Sequence, residues 1–324
     1  MLDRRRLVVA TLLSPVALSG WAQVPASDWP NKPVKIVVGF PPGQASDVGA
    51  RMYAAELQKA FVQAFVVENR PGVGATLAAR DVSRAAPDGH SLLYTSSGPL
   101  TVAPHLYSKL GFDPLKDLEL VGLLGRSPLL LLVPADSPLK TVRDLMAASA
   151  KRELSCGSGG NGVTNHLALE MFRQVSGAKL LHVPYKGAAP ALQDLMGGAI
   201  ELMFETTPAS LPQVRNGRLR PLAVTSSTRL AELPDVPTMA EIFPGFEVMT
   251  WSVFAVPKGT PVAIIDKLAA QLNKIQADPV FKATVLANGA EPTPNSTPAK
   301  ARAYAVAESE KWRDIIRRAN IKLD

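Results

Sequence analysis

Val34-Lys-Ile-Val-Val-Gly-Phe-Pro-Pro-Gly-Gln-Ala-Ser-Asp47 is a β-rich apolar run, stopped by Pro41-Pro42-Gly43 and followed by helical spacing from Asp47 to Phe61. Branched residues suit a strand, the prolines and glycine end it, and apolar residues three and four apart suit a helix. The order is strand, loop, helix, and it repeats. Ala64 to Glu68 reads as a second strand, Arg70 to Gly74 as a turn, Ala75 to Ala85 as a helix and His90 to Thr95 as a third strand. This alternation predicts an α/β fold on a mostly parallel sheet.

Leu118 to Val133 is a long apolar run interrupted by Gly122, Gly125, Arg126 and Pro128. It exceeds an ordinary strand, so it is predicted to cross between two domains with a local break. The alternation then restarts. Helices are expected over Thr141–Ala150, Thr164–Ser176 and Pro190–Gly198, and strands over Glu153–Cys156, Leu180–Val183, Ile200–Phe204 and Leu222–Thr225. After a turn-rich stretch from Pro234 to Pro244, Glu247–Val256 is a second long strand that can carry the chain back. The final third is helical over Pro261–Ala277, Pro279–Ala287 and Pro298–Ile316, each helix starting near a proline that suits a first turn. Two crossings assign residues 27–124 and 247–324 to one domain and 125–246 to the other, with a cleft between them as the natural binding place. A mature chain of about 300 residues also exceeds what one core usually organises.

Residues 1–22 read as an export leader: Arg4 to Arg6, an apolar stretch from Leu7 to Leu18, then Gly20-Trp21-Ala22 with cleavage expected after Ala22. The arginines suit either the general secretory or the twin-arginine route, and the expected destination is the periplasm. The formal charge is +7, and the leader holds three arginines and one aspartate, which leaves +5 in the mature chain. Lys and Arg are scattered without interleaved aromatics until Arg313, Arg317 and Arg318, which read as a solvated helix face, so no nucleic-acid partner is expected. Cys156 is the only cysteine; it excludes an internal disulfide and reads as a small core residue.

Two loops carry the chemistry. Phe40 to Asp47 joins a strand end to a helix start, where unpaired N–H groups and the helix dipole accept an anion without arginine. Asp47 or Ser46 is the expected N-cap, and Asp47 has two readings, as a cap and as a ligand contact. Cys156-Gly-Ser-Gly-Gly-Asn-Gly-Val-Thr164 is the second such loop. Gly157, Gly159 and Gly162 satisfy G-x-G-x-x-G, but the next strand supplies no acidic residue and no lysine follows, so neither a dinucleotide fold nor a P-loop is supported. The reading is a carboxylate held by backbone N–H groups and the Ser158 and Thr164 hydroxyls. His90, His105, His166 and His182 are dispersed, Ser158 lacks a nucleophile-elbow flank, and His166 reads as a packing or hydrogen-bonding residue. No metal, no cofactor and no enzyme is expected.

Six ordered signatures then stand out: Phe40-Pro-Pro-Gly with Asp47 and Ala50-Arg51; Val66-Val-Glu-Asn-Arg-Pro-Gly72; Ala85-Ala-Pro-Asp-Gly89; Ser158 through His166-Leu167; Val183-Pro-Tyr-Lys-Gly187; and Pro234-Asp-Val-Pro-Thr238. In these the chain resembles the extracytoplasmic solute-binding proteins of the tripartite tricarboxylate transporter type, the Bug-type receptors, from about Trp29 to the C-terminus. The resemblance implies a type II periplasmic binding fold, two α/β domains joined by two crossings with the ligand between them. It implies ligand contacts at Phe40, Pro42, Ala45 and Asp47, at Ser96 and Ser97, at Ser158, Gly160, Thr164 and His166, and nearby at Tyr185 and Lys186. Gln44, Val163 and Glu205 depart from the family's usual glycine, hydroxyl residue and aspartate, and Glu205 is counted with the ligand wall.

The function implied is capture of a small carboxylate for membrane transporter subunits, by a chain expected to be a monomer. The alternative is a ligand-responsive sensor that docks on a signalling receptor.

Overall fold

The computed structural model describes residues 28–287 and 289–321. The expected leader and its cleavage point lie outside the described residues. Nine strands form one sheet among the described residues: β1 Val34–Val38, β2 Phe65–Asn69, β3 Ser91–Ser96, β4 Leu118–Pro134, β5 Leu154–Ser158, β6 Leu180–Pro184, β7 Leu202–Thr206, β8 Leu219–Val224 and β9 Met249–Pro257. The order is β2-β1-β3-β9-β4-β7-β5-β6, with β8 also paired to β4.

β4 is the shared element. Residues Leu118 to Pro128 pair with β9, and Leu129 to Pro134 pair with β7 and β8. The expected local break is absent, because the run is one strand of 17 residues. The interrupting glycines instead mark register shifts, between Leu120 and Gly122 and between Leu123 and Gly125. A bulge absorbs the extra residue and bends the strand without ending it. At Gly122 a Cβ would lie 3.4 Å from the Ser296 carbonyl oxygen, while Leu123 N donates to Ser296 Oγ at 2.8 Å, so the bulges also admit the C-terminal chain.

The sheet is not mostly parallel. β1 pairs in parallel with β2 and β3, and β5 with β6 and β7, but β9 is antiparallel to β3 and β4, and β4 to β7 and β8. A strand that runs straight from one sheet section into the next keeps its direction and so meets locally wound strands head to tail. Helices cover both faces. Val34, Ile36 and Leu92 pack beneath Ile264, Leu268 and Leu272 on one side, and Val37 and Leu93 pack with Ala78, Val82 and Leu100 on the other. The second section is likewise divided between a core around Leu129, Leu131, Leu167 and Phe172 and one around Leu130, Leu132, Ala191 and Leu195.

Where β8 ends, Thr225 joins the two crossings. Its Oγ1 accepts from Leu129 N at 2.7 Å and donates to the Val248 carbonyl at 2.5 Å, and its main chain bonds both residues again. The C-terminal helix, Pro298–Ala319, touches both sheet sections. Ala301 and Ala305 pack with the first, whereas Trp312, Ile315 and Ile316 are buried against the Leu129, Leu131 and Phe172 core of the second.

The helix over Thr164–Ser176 lies where its spacing predicts. Two helical stretches are not legible from periodicity. Thr207–Arg215 carries Pro208 in its first turn and Pro212 inside, and the Gly98–Leu106 segment, a π-turn running into a short helix, carries Pro99 and Pro104. Proline masks helical periodicity because it removes a donor and crowds the preceding turn.

Candidate functional site

β1 delivers the first loop. Its helix, Ala45–Phe61, begins two residues earlier than its apolar spacing indicates, with Gln44 at the N-cap and no side-chain cap. Neither Ser46 nor Asp47 caps it. Asp47 sits in the first turn, buried, and reaches back to accept from Gly43 N at 2.9 Å, from Asn69 Nδ2 at 2.9 Å and from Arg51 Nε at 3.1 Å. The Arg51 guanidinium holds this carboxyl down at about 2, against the opposing effect of burial. Gly43, at φ +81, makes the bend that brings its N–H to Asp47. Asn69 Nδ2 also donates to the Phe40 carbonyl at 2.9 Å, so the end of β2 clamps the loop from both sides.

The second loop leaves β5 at Ser158 and enters the Thr164–Ser176 helix, whose N-cap, Val163, has no side-chain cap. The Ser158 hydroxyl is fully engaged. It donates to the Gly160 carbonyl at 3.0 Å, accepts from Gly160 N at 3.2 Å and lies 2.6 Å from His182 Nε2. Two more of the loop's N–H groups turn inward: Gly159 N donates to Asn165 Oδ1 at 3.3 Å and Gly162 N to His166 Nδ1 at 3.0 Å. The Ser158 hydroxyl and the Gly159, Gly160 and Gly162 N–H groups therefore shape the loop itself. The first helical N–H groups, those of Thr164 and Asn165, have no carbonyl one turn back within the helix to accept them.

Beneath the loop, His166 and His182 stack at 3.9 Å with 9° between the rings. Burial pushes His166 down to about 3 and His182 down to about 4, so both are neutral at pH 7. Asn165 Nδ2 donates to Glu205 Oε2 at 3.0 Å, and Glu205 Oε1 accepts from both Thr206 N and Thr206 Oγ1 at 2.8 Å. Burial raises the Glu205 carboxyl. Tyr185 turns to the opposite face, where its hydroxyl donates to Asp194 Oδ2 at 2.7 Å and its pKa is pushed up to about 12, by burial first.

One cavity of about 180 Å³ lies between the two sheet sections. From the first come Phe40, Gly74, Ser96, Gly98, Pro99, Val102, Ala103, Leu106 and Tyr107, and from the second come Asn161, Gly162, Val163 and Thr164. Of the expected contacts, Phe40, Ser96 and Thr164 line it. Pro42 and Ala45 are exposed on the first loop, Ser97 is buried beneath with its carbonyl accepting from Thr101, and Lys186 is exposed beyond β6. Asp47, Ser158, Gly160, His166 and Glu205 belong to the layer that holds the loops. Sequence reasoning missed the Gly98–Tyr107 wall, whose only signal was Gly98-Pro99, and the bracing pair Asn165 and His182.

The family model described as the tripartite tricarboxylate transporter family receptor matches residues 49–321. BugT of Bordetella pertussis is 35% identical over 306 residues, 93% of this chain and 94% of that one. Among solved structures, Rpa4515 of R. palustris with adipate superposes with TM-score 0.84 at 34% identity, covering 91% of this chain and 100% of that chain. MatC of Rhodopseudomonas palustris with bound malate gives 0.79 at 30%, covering 89% and 100%. The fold is that of periplasmic binding proteins, a mixed α/β architecture with helices on both sides of a curled sheet. The chain belongs to the tripartite tricarboxylate transporter receptor family as a Bug-type solute-binding protein, a family of receptors and not of enzymes.

Proposed function

We propose that this protein captures a small carboxylate in the cavity between Phe40 and Ser96 on one side and Asn161 to Thr164 on the other. The observation that carries the reading is the uncapped start of the Thr164–Ser176 helix on the cavity wall. By contrast, the Val142–Lys151 helix closes its own start with a Thr141 and Asp144 capping box. Orphan N–H groups and the positive end of the helix dipole favour an anion at such a place, and the carboxylate would supply the missing cap. Two similar structures carry adipate and malate, both carboxylates.

In this reading residues 27–124 with 247–324 form one lobe and 125–246 the other, and a ligand that touches both favours the closed arrangement. The family's name points to membrane transporter subunits as the recipients, after export and removal of residues 1–22. Thermal unfolding with a panel of small carboxylates tests the reading. A ligand at 100 times its Kd adds about 2.7 kcal/mol, and a panel that leaves the transition unmoved contradicts it.

A further inference from the structure

β5 ends at Ser158 beside the cavity and starts at Leu154, about 13 Å away at roughly 3.3 Å per residue. The chain leaving β4 and the starts of β6 and β8 meet at that far end. Pro134 pairs with Leu219, Ala135 N donates to the Arg218 carbonyl, and Leu154 N donates to the Lys179 carbonyl. Cations gather there. Lys140, Arg143, Lys151, Lys179, Arg215 and Arg218 are exposed, and none of them forms an ion pair among the described residues. Two further cations are engaged: Arg152 pairs with Glu201, and Arg220 donates to the carbonyls of Ala135, Ser137 and Leu139. Asp136 and Glu153 are the exposed carboxylates beside them, while Asp144 accepts from the Lys140 and Thr141 N–H groups. Positive charge is therefore left in excess.

A groove of about 470 Å³ opens at this end, lined by Pro138, Asp144, Ala147, Ala148, Lys151 and Arg152. Positions 144, 147, 148 and 151 recur three and four apart, so one wall is a single face of the Val142–Lys151 helix. Pro138, Ala147, Lys151 and Arg152 are exposed, which makes the groove an open channel and not an enclosed cavity. Its apolar lining comes from Pro138, Ala147 and Ala148, and its positive charge from Lys151 and Arg152.

We propose that this end of the second sheet section docks an acidic segment of a partner polypeptide, with an apolar side chain in the groove and carboxylates on Lys140, Lys151 and the neighbouring cations. Excess positive charge selects an acidic partner and speeds its encounter. A flat anionic surface would meet the cations and leave the groove unfilled, whereas a chain can do both. The site stands apart from carboxylate capture. It lies farther from the cavity than the screening length of about 8 Å at physiological ionic strength, and all of its residues belong to one section, so a filled and an empty receptor present the same surface.

Fluorescence anisotropy of the mature protein with a labelled Glu-rich peptide carrying a single Leu tests this. The parent should bind, more weakly as salt rises. Lys140→Glu combined with Lys151→Glu should bind about tenfold more weakly. Lys274→Glu combined with Lys282→Glu makes the same charge change at exposed lysines of the first section and should stay within about twofold of the parent. Ala147→Phe, which fills the groove without changing charge, should also weaken binding, and an unaltered thermal transition shows that each variant is folded. No binding by the parent, equal losses from the two double variants, or full binding by Ala147→Phe would each overturn the proposal. Binding to phosphatidylglycerol vesicles but not to the peptide would overturn it too, assigning this face to a membrane surface.

Discussion

Ser158 Oγ and His182 Nε2 are 2.6 Å apart, and through this contact β6 fixes the turn that leaves β5. With its own proton directed at the Gly160 carbonyl, Ser158 accepts from the imidazole N–H. Ser158→Ala would leave that half-buried donor and Gly160 N without their oxygen. The expected loss is about 1–3 kcal/mol of stability, read by urea unfolding. Because the two side chains share one bond, Ser158→Ala combined with His182→Ala should cost less than the sum of the single changes. Additive losses would deny the coupling.

The stacked histidines make stability fall on mild acidification. Their folded pKa values, about 3 for His166 and about 4 for His182, lie below the ordinary 6.5. Between those values the unfolded chain binds protons that the native chain refuses. The contribution is complete above pH 6.5 and is lost as pH drops through the folded pKa values. Between pH 6.5 and 5 the pair should cost on the order of 2 kcal/mol, after discounting His182 for its partly solvated ring. Denaturation at both pH values in the parent and in His166→Gln checks this, and the variant should lose less.

Asp47 acts in a lower window. Its carboxyl, held at about 2 by Arg51, contributes stability that is present above pH 3.8 and disappears as pH falls through 2. Since Arg51 is half exposed, solvent screening reduces the value to about 1 kcal/mol. Asp47→Asn should flatten the acid limb between pH 4 and 2, and an unchanged limb would remove Asp47 from its cause.

Thr225 ties the crossings. Thr225→Val removes the hydroxyl that Leu129 N and the Val248 carbonyl share, at a cost of about 1–3 kcal/mol. Amide exchange of Leu129 should accelerate more than that of Leu167, which lies in the same core. Uniform acceleration would mean that the hydroxyl stabilises the whole fold without acting locally on the two crossing strands.

Much of the fold was legible because strand, loop and helix follow residue type locally. Val34 to Val38 and Thr164 to Ser176 needed no tertiary information. β4 was readable as a crossing, but its continuity was not, since glycine breaks an isolated strand while a bulge beside Ser296 accommodates it. The site was less legible. Ser158 and Asp47 carry the polar groups that a ligand would want, yet the fold engages those groups with His182, Gly160, Arg51 and Asn69. Those partners are distant in sequence or in register, and one chain alone cannot show which donors are already satisfied. The apolar wall residues Val102, Ala103 and Leu106 carried no chemical signal of their own.

The most direct measurement of the central claim is carboxylate binding to Val163→Asp. Aspartate is a favoured N-cap, so the change should hold or raise stability at a helix start that now has no side-chain cap. It would also place a negative charge, and its own hydrogen bonds to the helix N–H groups, where the ligand carboxylate is proposed to sit. The expected result is an intact thermal transition with carboxylate affinity reduced at least a hundredfold. A folded Val163→Asp protein that binds carboxylates as tightly as the parent would contradict the account.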